Sequence, residues 1–294
     1  MLELILPTGS AMITMLAIGI LFGLILSVAK LKLKVKKDPR IEDITEILPG
    51  ANCGACGQAG CSGYAMKIVN EGEDITQCPA LDPANMKKIG MIMGVEVGPV
   101  KVPLKARVHC HGGIDVTVKK FDYNGPEDCE AAHNLMGGYR VCEYGCLRFG
   151  NCVKVCSFDA IYMGDNGIPI VVLDKCTGCG KCVEACPRDI ISLVADNFEV
   201  FVMCKNKEKA KIMKMGCSVG CIGCKRCEKI CREVFEDNPD IDTAITVDNF
   251  LASIDYDICT GCNKCVEVCP VPVIDPVEKA NVNKPKEEKA EVSL

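Results

Sequence analysis

A twelve-residue motif that occurs twice limits the fold more than any other feature of this sequence. The copies begin at Cys176 and Cys259, and ten of their twelve positions are identical. The C-x₂-C-x₂-C-x₃-C-P spacing is typical of loops that bind [4Fe–4S] clusters, whereas a zinc site would show two separated C-x₂-C pairs. Each copy therefore predicts a cluster-binding loop. Gly178 and Gly261 are expected to adopt positive φ there, so that backbone N–H groups approach the cluster.

A further cysteine run precedes each copy, which predicts two modules that each resemble a two-cluster bacterial ferredoxin. The run before the second copy, 217–231, contains a full ligand set. The run before the first copy, 142–156, has Phe149 at the position of Cys224. The first module has therefore lost its middle ligand, and Cys142 is the expected substitute.

The last cysteine of each run is expected to bind the neighbouring cluster, which sorts the module cysteines into four iron-binding sets. The first module predicts the sets Cys142, Cys146, Cys152, Cys186 and Cys156, Cys176, Cys179, Cys182. The second module predicts the sets Cys221, Cys224, Cys227, Cys269 and Cys231, Cys259, Cys262, Cys265.

A separate glycine-rich loop nearer the N terminus predicts a fifth set. Its four cysteines are Cys53, Cys56, Cys61 and Cys78. Glycines between them allow the backbone to wrap closely around a metal centre. Zinc remains an alternative for this loop on spacing alone.

Four cysteines are left over after these assignments, namely Cys110, Cys129, Cys204 and Cys217. One hypothesis is that they bind a sixth cluster between the modules. The alternative is that they are buried thiols packed beside the other clusters. His109 and His111 flank Cys110, but alternate strand positions would point their side chains away from it.

The pattern of apolar residues and turn signals predicts an α+β chain of six segments. They are a transmembrane anchor (1–29), a basic amphipathic connector (30–48), a single-cluster domain (49–94), two modules (95–200 and 201–272) and a disordered charged tail (273–294). Asp-Asn turn signals predict β-hairpins within Ile161–Leu173, Ile190–Met203 and Ile245–Ile254.

The uncharged stretch 4–29 is long enough to cross a hydrocarbon core of about 30 Å. Six basic residues follow it between Lys30 and Arg40, which predicts an N terminus outside the cell and iron–sulfur domains on the cytoplasmic side. A cleaved signal peptide would carry its basic residues before the apolar run. The cytoplasmic side is also the reducing one that free cysteines need. We therefore expect a single-pass protein of a bacterial or archaeal cell membrane.

Composition, net charge and the absence of catalytic motifs exclude several classes of function. With 24 cysteines and no tryptophan among 294 residues, bound clusters are expected to supply much of the folding free energy. The net charge of −5 gives no basic footprint for nucleic acid. The sequence shows no nucleophile–base arrangement and no glycine-rich dinucleotide loop. Electron transfer without a catalytic site in this chain is the function that remains.

Taken together, the anchor, the lysine-rich junction, the loop from Leu48 to Cys61 and the paired cysteine runs resemble the B subunit of Rnf-type ion-translocating ferredoxin:NAD⁺ oxidoreductases. The resemblance implies that the chain accepts electrons from reduced ferredoxin and relays them to other subunits of a membrane complex, and that flavins bind to sister subunits. The cysteine sets predict five [4Fe–4S] clusters, or six, for this relay. The missing dinucleotide loop predicts that NAD binds outside this chain.

Two other functions are compatible with the sequence. One is an electron-transfer subunit of another membrane reductase or hydrogenase. The other is a membrane-docked redox sensor, which should carry an effector module that the sequence does not show.

A ferredoxin donor, being acidic, could dock on a cluster of lysines, although such a run is more often a solvated face. The cluster consists of Lys205, Lys207, Lys209, Lys211 and Lys214.

Overall fold

The computed structural model describes residues 2–32, 38–98, 102–198, 200–236 and 243–276. The first helix, α1, covers Leu2–Lys32, and its apolar side chains between Met12 and Val28 are exposed. Within the described ranges, no helix combines the length and apolar composition needed to cross a membrane. The predicted transmembrane anchor is therefore not confirmed.

Three short helices form the N-terminal domain, which are α2 (Pro39–Ile47), α3 (Cys61–Glu71) and α4 (Pro83–Met93). Asp38 and Asp82 cap α2 and α4, and each is followed by proline, the residue favoured in the first helical turn. The helices pack around a buried core that includes Ile44, Tyr64 and Ile89. This core holds the loop 49–60 and Cys78 against α3.

Two modules of similar topology follow. The first contains β1 (Leu104–Val108), α5 (Cys129–Asn134), α6 (Asn151–Lys154), β2 (Ile161–Met163), β3 (Pro169–Val171), α7 (Lys181–Glu184) and β4 (Ile191–Ala195). The second contains β5 (Val200–Val202), α8 (Ala210–Gly216), α9 (Arg226–Val234), β6 (Ile245–Asp248), β7 (Leu251–Ile254), α10 (Lys264–Glu267) and β8 (Ile274–Pro276).

Strand pairing repeats from one module to the next. In the first module β1 pairs with β4 and β2 with β3, and in the second β5 pairs with β8 and β6 with β7, all antiparallel. The outer pair closes each module, while the inner hairpin lies between its two cysteine loops. Each module thus contains two antiparallel two-stranded sheets and short helices, and its buried side chains include its cysteines.

The predicted hairpins around Asp165 and Asp248 form, but the one within Ile190–Met203 does not. β4 and β5 pair with strands far away in sequence, as the register Leu104↔Ala195 shows, so the turn at Asp196 joins two modules. The predicted tail also begins too early, because β8 covers Ile274–Pro276. The remaining tail residues, 277–294, lie outside the described ranges.

The two modules are joined by direct contacts. The amide N–H of Val118 donates to Gly216 O, and that of Ser218 donates to Val116 O. His109, at the end of β1, contributes a further link. Burial lowers its pKa to about 4, so the ring is neutral and its Nδ1–H donates to Val202 O across 2.6 Å. His109 therefore serves as a hydrogen-bond link between the modules.

Candidate iron–sulfur sites

All 24 cysteines are free thiols, and the structure gathers them into six groups of four. Each group comes from loops and helices that lie close together around a common space. Within the described residues, no three His, Cys, Asp or Glu side chains converge tightly enough to hold a single metal ion. Four of the groups each line a cavity of their own with their four cysteines.

The N-terminal group brings together the predicted set of Cys53, Cys56, Cys61 and Cys78. Positive φ at Gly54 and Gly57 turns the loop tightly around it. The Asn52 side chain accepts the N–H of Cys61 at 2.8 Å and so pins the loop to the start of α3. Burial, and then the neighbouring thiols, raises the pKa of the Cys78 thiol. A bound cation would offset this cost of forming thiolates.

The group around the first twelve-residue motif brings together the predicted set of Cys156, Cys176, Cys179 and Cys182. Backbone N–H groups point at its sulfurs, with Ala106 N 3.4 Å from Cys176 Sγ and Ala160 N 3.3 Å from Cys156 Sγ. Such N–H···S bonds stabilise thiolates and tune bound clusters.

Gly178 permits the close approach of this loop to β1. Its φ is +69°, and a Cβ there would stand 2.2 Å from Leu104 O. The expectation of positive φ is confirmed at Gly178 and Gly261.

We predict that Gly178→Ala displaces β1 and loses the cluster of this group, because a backbone oxygen cannot yield as a flexible side chain can. Gly180→Ala is the matched control, since Gly180 also has positive φ (+80°) but a Cβ there would meet only Leu193 Cδ1, at 3.8 Å. The control is expected to cost about 1 kcal/mol of backbone strain and to keep its iron. Equal iron content in the two purified variants would contradict the prediction.

The two groups of the second module match the two predicted sets. One cavity is lined by Cys221, Cys224, Cys227 and Cys269, and another by Cys231, Cys259, Cys262 and Cys265. Helix α9 supplies Cys227 to the first cavity and Cys231 to the second. Burial is the main cause that raises the pKa of both Cys227 and Cys265 to about 12.

The remaining group of the first module differs from the prediction by one residue. The cavity contains Cys146, Cys152 and Cys186 as expected, but its fourth cysteine is Cys129 and not Cys142. Cys129 opens α5, in an insertion between β1 and the cysteine loop. Its N–H donates to Asn151 Oδ1 at 3.0 Å, which ties it to the helix that bears Cys152.

The same insertion explains why the middle ligand is missing from the loop. Phe149 packs against Tyr123 and Tyr139, with ring centroids 5.4 and 5.7 Å away, in a small core that includes Cys129. Arg148, aligned with Gly223, keeps positive φ (65°) like that glycine. The loop therefore retains its shape, while Cys129 supplies the sulfur in place of the missing middle ligand.

The sixth group consists of Cys110, Cys142, Cys204 and Cys217, which line a cavity between the modules. The hypothesis from the sequence also placed four cysteines between the modules, but it named Cys129 where the structure has Cys142. The spacing between Cys142 and Cys146 does not show which group Cys142 belongs to, because two cysteines of its group, Cys204 and Cys217, lie in the other module.

These residues fit iron–sulfur clusters by the chemistry of their donor set, because each group offers four thiols and several sulfurs receive backbone N–H bonds. The architecture defines the class: an electron-transfer protein built from [4Fe–4S]-binding modules. Residues 48–80 match a family described as "Putative Fe-S cluster". Residues 169–192 and 252–275 match a family described as "4Fe-4S binding domain", and residues 220–234 match a second family of that description.

Curated relatives identify the family. The B subunit of the Na⁺-translocating ferredoxin:NAD⁺ oxidoreductase complex of Acetobacterium woodii is 43% identical over 253 residues, which cover 86% of this chain and 73% of the relative. The B subunit of the ion-translocating oxidoreductase complex of Methanosarcina acetivorans is 38% identical over 258 residues, or 88% and 94% of the two chains. The B subunit of the proton-translocating ferredoxin:NAD⁺ oxidoreductase complex of Clostridium ljungdahlii is 38% identical over 266 residues, or 90% of each chain.

This chain belongs to the family of B subunits of Rnf-type ion-translocating oxidoreductase complexes. It is an iron–sulfur electron-transfer subunit of an ion-translocating ferredoxin:NAD⁺ oxidoreductase, and other subunits of that complex are its partners.

Proposed function

We propose that the chain accepts electrons from reduced ferredoxin and passes them along a series of [4Fe–4S] sites to the other subunits. The order of the cysteine groups carries this proposal. A thiol of one group lies close enough to raise the pKa of a thiol in the next, as Cys53 does for Cys179, Cys152 for Cys182, Cys110 for Cys146 and Cys221 for Cys204. The last two groups are joined by helix α9, which bears both Cys227 and Cys231. A continuous series is what stepwise electron transfer requires and what a purely structural role does not.

Five clusters are proposed. Four lie at the groups that the ferredoxin pattern defines, with Cys129 in the place of Cys142, and the fifth lies at the N-terminal group. A [4Fe–4S] cluster supplies reversible one-electron chemistry at low potential. The chain's own residues would hold the cluster, exclude water from it and determine the polarity around it. Buried cysteines such as Cys152 and Cys227 place sulfur ligands in low dielectric, and backbone N–H groups, such as that of Ala160, donate to sulfur.

The docking surface that we propose for the ferredoxin donor is the lysine-rich segment around α8. Lys207, Lys209, Lys211 and Lys214 are exposed, as are Ile212 and Met215 beside them. A basic surface with an apolar centre is complementary to an acidic redox partner. Met213, on the opposite side of α8, is buried and lines the cavity between the modules, so the surface lies directly above a cysteine group.

We predict that reversing two of these charges (Lys211→Glu, Lys214→Glu) slows association with reduced ferredoxin about tenfold at low ionic strength. The matched control reverses Lys87 and Lys88, which are exposed on α4. Stopped-flow mixing with reduced ferredoxin measures the rate. The difference should shrink as salt screens the charges. Equal rates for both variants at low salt would place the docking surface elsewhere.

Contact with the lipid bilayer through residues 4–29 remains a proposal that rests on the sequence. The exposed apolar side chains between Met12 and Val28 are the observation that supports it. Membranes from cells that express the full chain can be washed with alkaline carbonate. Retention of the full chain and release of a variant that lacks residues 2–29 would support the anchor, whereas release of both would contradict it.

A further inference from the structure

We infer that Cys110, Cys142, Cys204 and Cys217 bind a sixth [4Fe–4S] cluster, which is shared by the two modules. Cys110 and Cys142 belong to the first module, and Cys204 and Cys217 to the second. The inference deepens the proposed electron relay and rests on it, because the site lies between the group of Cys146 and the group of Cys221.

The four cysteines occupy equivalent positions in the two modules. Cys110 stands two residues after β1, and Cys204 stands two residues after β5. The N–H of Cys146 donates to Cys110 Sγ, and the N–H of Cys221 donates to Cys204 Sγ, each across 3.4 Å. The repeated fold thus places two equivalent sulfurs at one site. Each sulfur accepts a hydrogen bond from the backbone N–H of Cys146 or Cys221 in its own module.

The second pair is equivalent in the same way. Cys142 precedes Cys146 by four residues, as Cys217 precedes Cys221. The loops that bear the two residues touch, since a Cβ on Gly216 would lie 3.0 Å from Cys142 N. Gly112 lies beside both modules' sulfurs, since a Cβ on it would stand 3.4 Å from Cys217 Sγ and 3.7 Å from Cys110 Sγ, in ordinary van der Waals contact.

The charge around the site favours an anion. Arg140 is only 2% exposed, and its guanidinium donates to Cys146 O at 2.9 Å and Gly112 O at 3.3 Å. No carboxylate of the described ranges forms an ion pair with it. A buried cation that has only carbonyl partners is costly unless an anion lies nearby. Four thiolates around a cluster carry net negative charge and would supply it.

Asn206 links the two halves of the site. This side chain is 3% exposed, and its Nδ2 donates to Cys142 Sγ at 3.3 Å. Its backbone N–H donates to Cys204 Sγ at 3.4 Å. Oδ1 accepts the N–H of Glu208 at 2.7 Å, which fixes the amide so that its NH₂ faces sulfur. A buried residue that donates to sulfurs of both modules suits thiolate ligands better than protonated thiols.

Iron and sulfide analysis of the full chain, reconstituted under anaerobic conditions, tests the inference. We expect about 24 irons for the unmodified chain and about 20 for Cys110→Ala and for Cys204→Ala. The double variant should also contain about 20, because both residues would hold the same cluster. About 20 irons in the unmodified chain, or about 16 in the double variant, would overturn the shared site.

A second variant keeps all cysteines and so does not depend on the loss of a ligand. Asn206→Asp retains the acceptor for Glu208 but replaces the N–H donor to sulfur by a carboxylate oxygen. One component of the EPR-monitored redox titration should move to a more negative potential, while the others and the iron content stay unchanged. Ser218→Ala, at an exposed position of the neighbouring loop, is the control. An unchanged titration of Asn206→Asp would contradict the role of Asn206 at a cluster.

The two proposals can fail separately. A chain with about 20 irons that is still reduced by ferredoxin would overturn the shared cluster and leave the relay. A chain with about 24 irons that reduced ferredoxin cannot reduce would overturn the relay and leave the shared site.

Discussion

Replacing Cys129 with alanine is expected to cost the protein one cluster, and adding Cys152→Ala to that variant is expected to cost nothing more. Both cysteines line the same cavity, and the thiol of Cys129 raises the pKa of Cys152. Two ligands of one cluster are not additive, because the cluster is already lost when the first is gone. Iron analysis should therefore give a deficit of about four in both single variants and in the double variant.

Cys142 supplies the matched control. It lies in the cavity between the modules, so Cys142→Ala combined with Cys152→Ala should lose about eight irons. The ferredoxin pattern alone places Cys142 and Cys152 in one set, and it therefore predicts a loss of only about four irons for this double variant. A loss of about eight irons on combining Cys129→Ala with Cys152→Ala would return Cys142 to that set.

Removal of iron should unfold the two modules and spare much of the N-terminal domain. Five of the fourteen buried residues in the core of the second module are cysteines, whereas the N-terminal core has one among ten. A core built around ligands cannot remain packed when four buried thiols lose their shared partner. The N-terminal helices instead retain an apolar core around Ile44, Ile68 and Ile89.

Hydrogen exchange before and after anaerobic chelation measures this difference. Amides of β5–β8 should lose their protection together, while those of α3, around Ile68, should keep a substantial part of theirs. Equal loss of protection in both regions would show that the N-terminal core also depends on its cluster. Full retention in the second module would contradict the dependence of its fold on iron.

Local cysteine spacing was enough to predict most of the site. The loops at Cys176 and Cys259 carry spacing and glycine positions that depend only on neighbouring residues, and positive φ at Gly178 and Gly261 agrees with them. The topology also repeats as the sequence repeat suggests. Which cysteines belong to one ferredoxin loop can therefore be inferred without coordinates.

The exchange of Cys129 and Cys142 could not be inferred in this way. Cys129 reaches its group through an insertion helix, and the contacts that hold it there involve Asn151 and Asp128. Asp128 caps α5, which places Cys129 at the first helical position. The sequence contains this capping signal but does not say which cavity the helix faces.

The hairpin predicted across Asp196 was wrong for a related reason. Both flanking segments are strands, and the turn residues between them are typical of hairpins. Pairing is decided instead by closure of each module, since the partner of β4 is β1 and the partner of β5 is β8. Such distant pairing has no short-range signal.

The central claim is that this chain is a low-potential relay with several [4Fe–4S] centres. An EPR-monitored redox titration of the anaerobic full chain, with metal analysis, tests it most directly. We expect iron as the bound metal and several [4Fe–4S] signals that appear near or below about −400 mV. Stoichiometric zinc in the cysteine groups, or centres that are fully reduced far above that range, would contradict the relay.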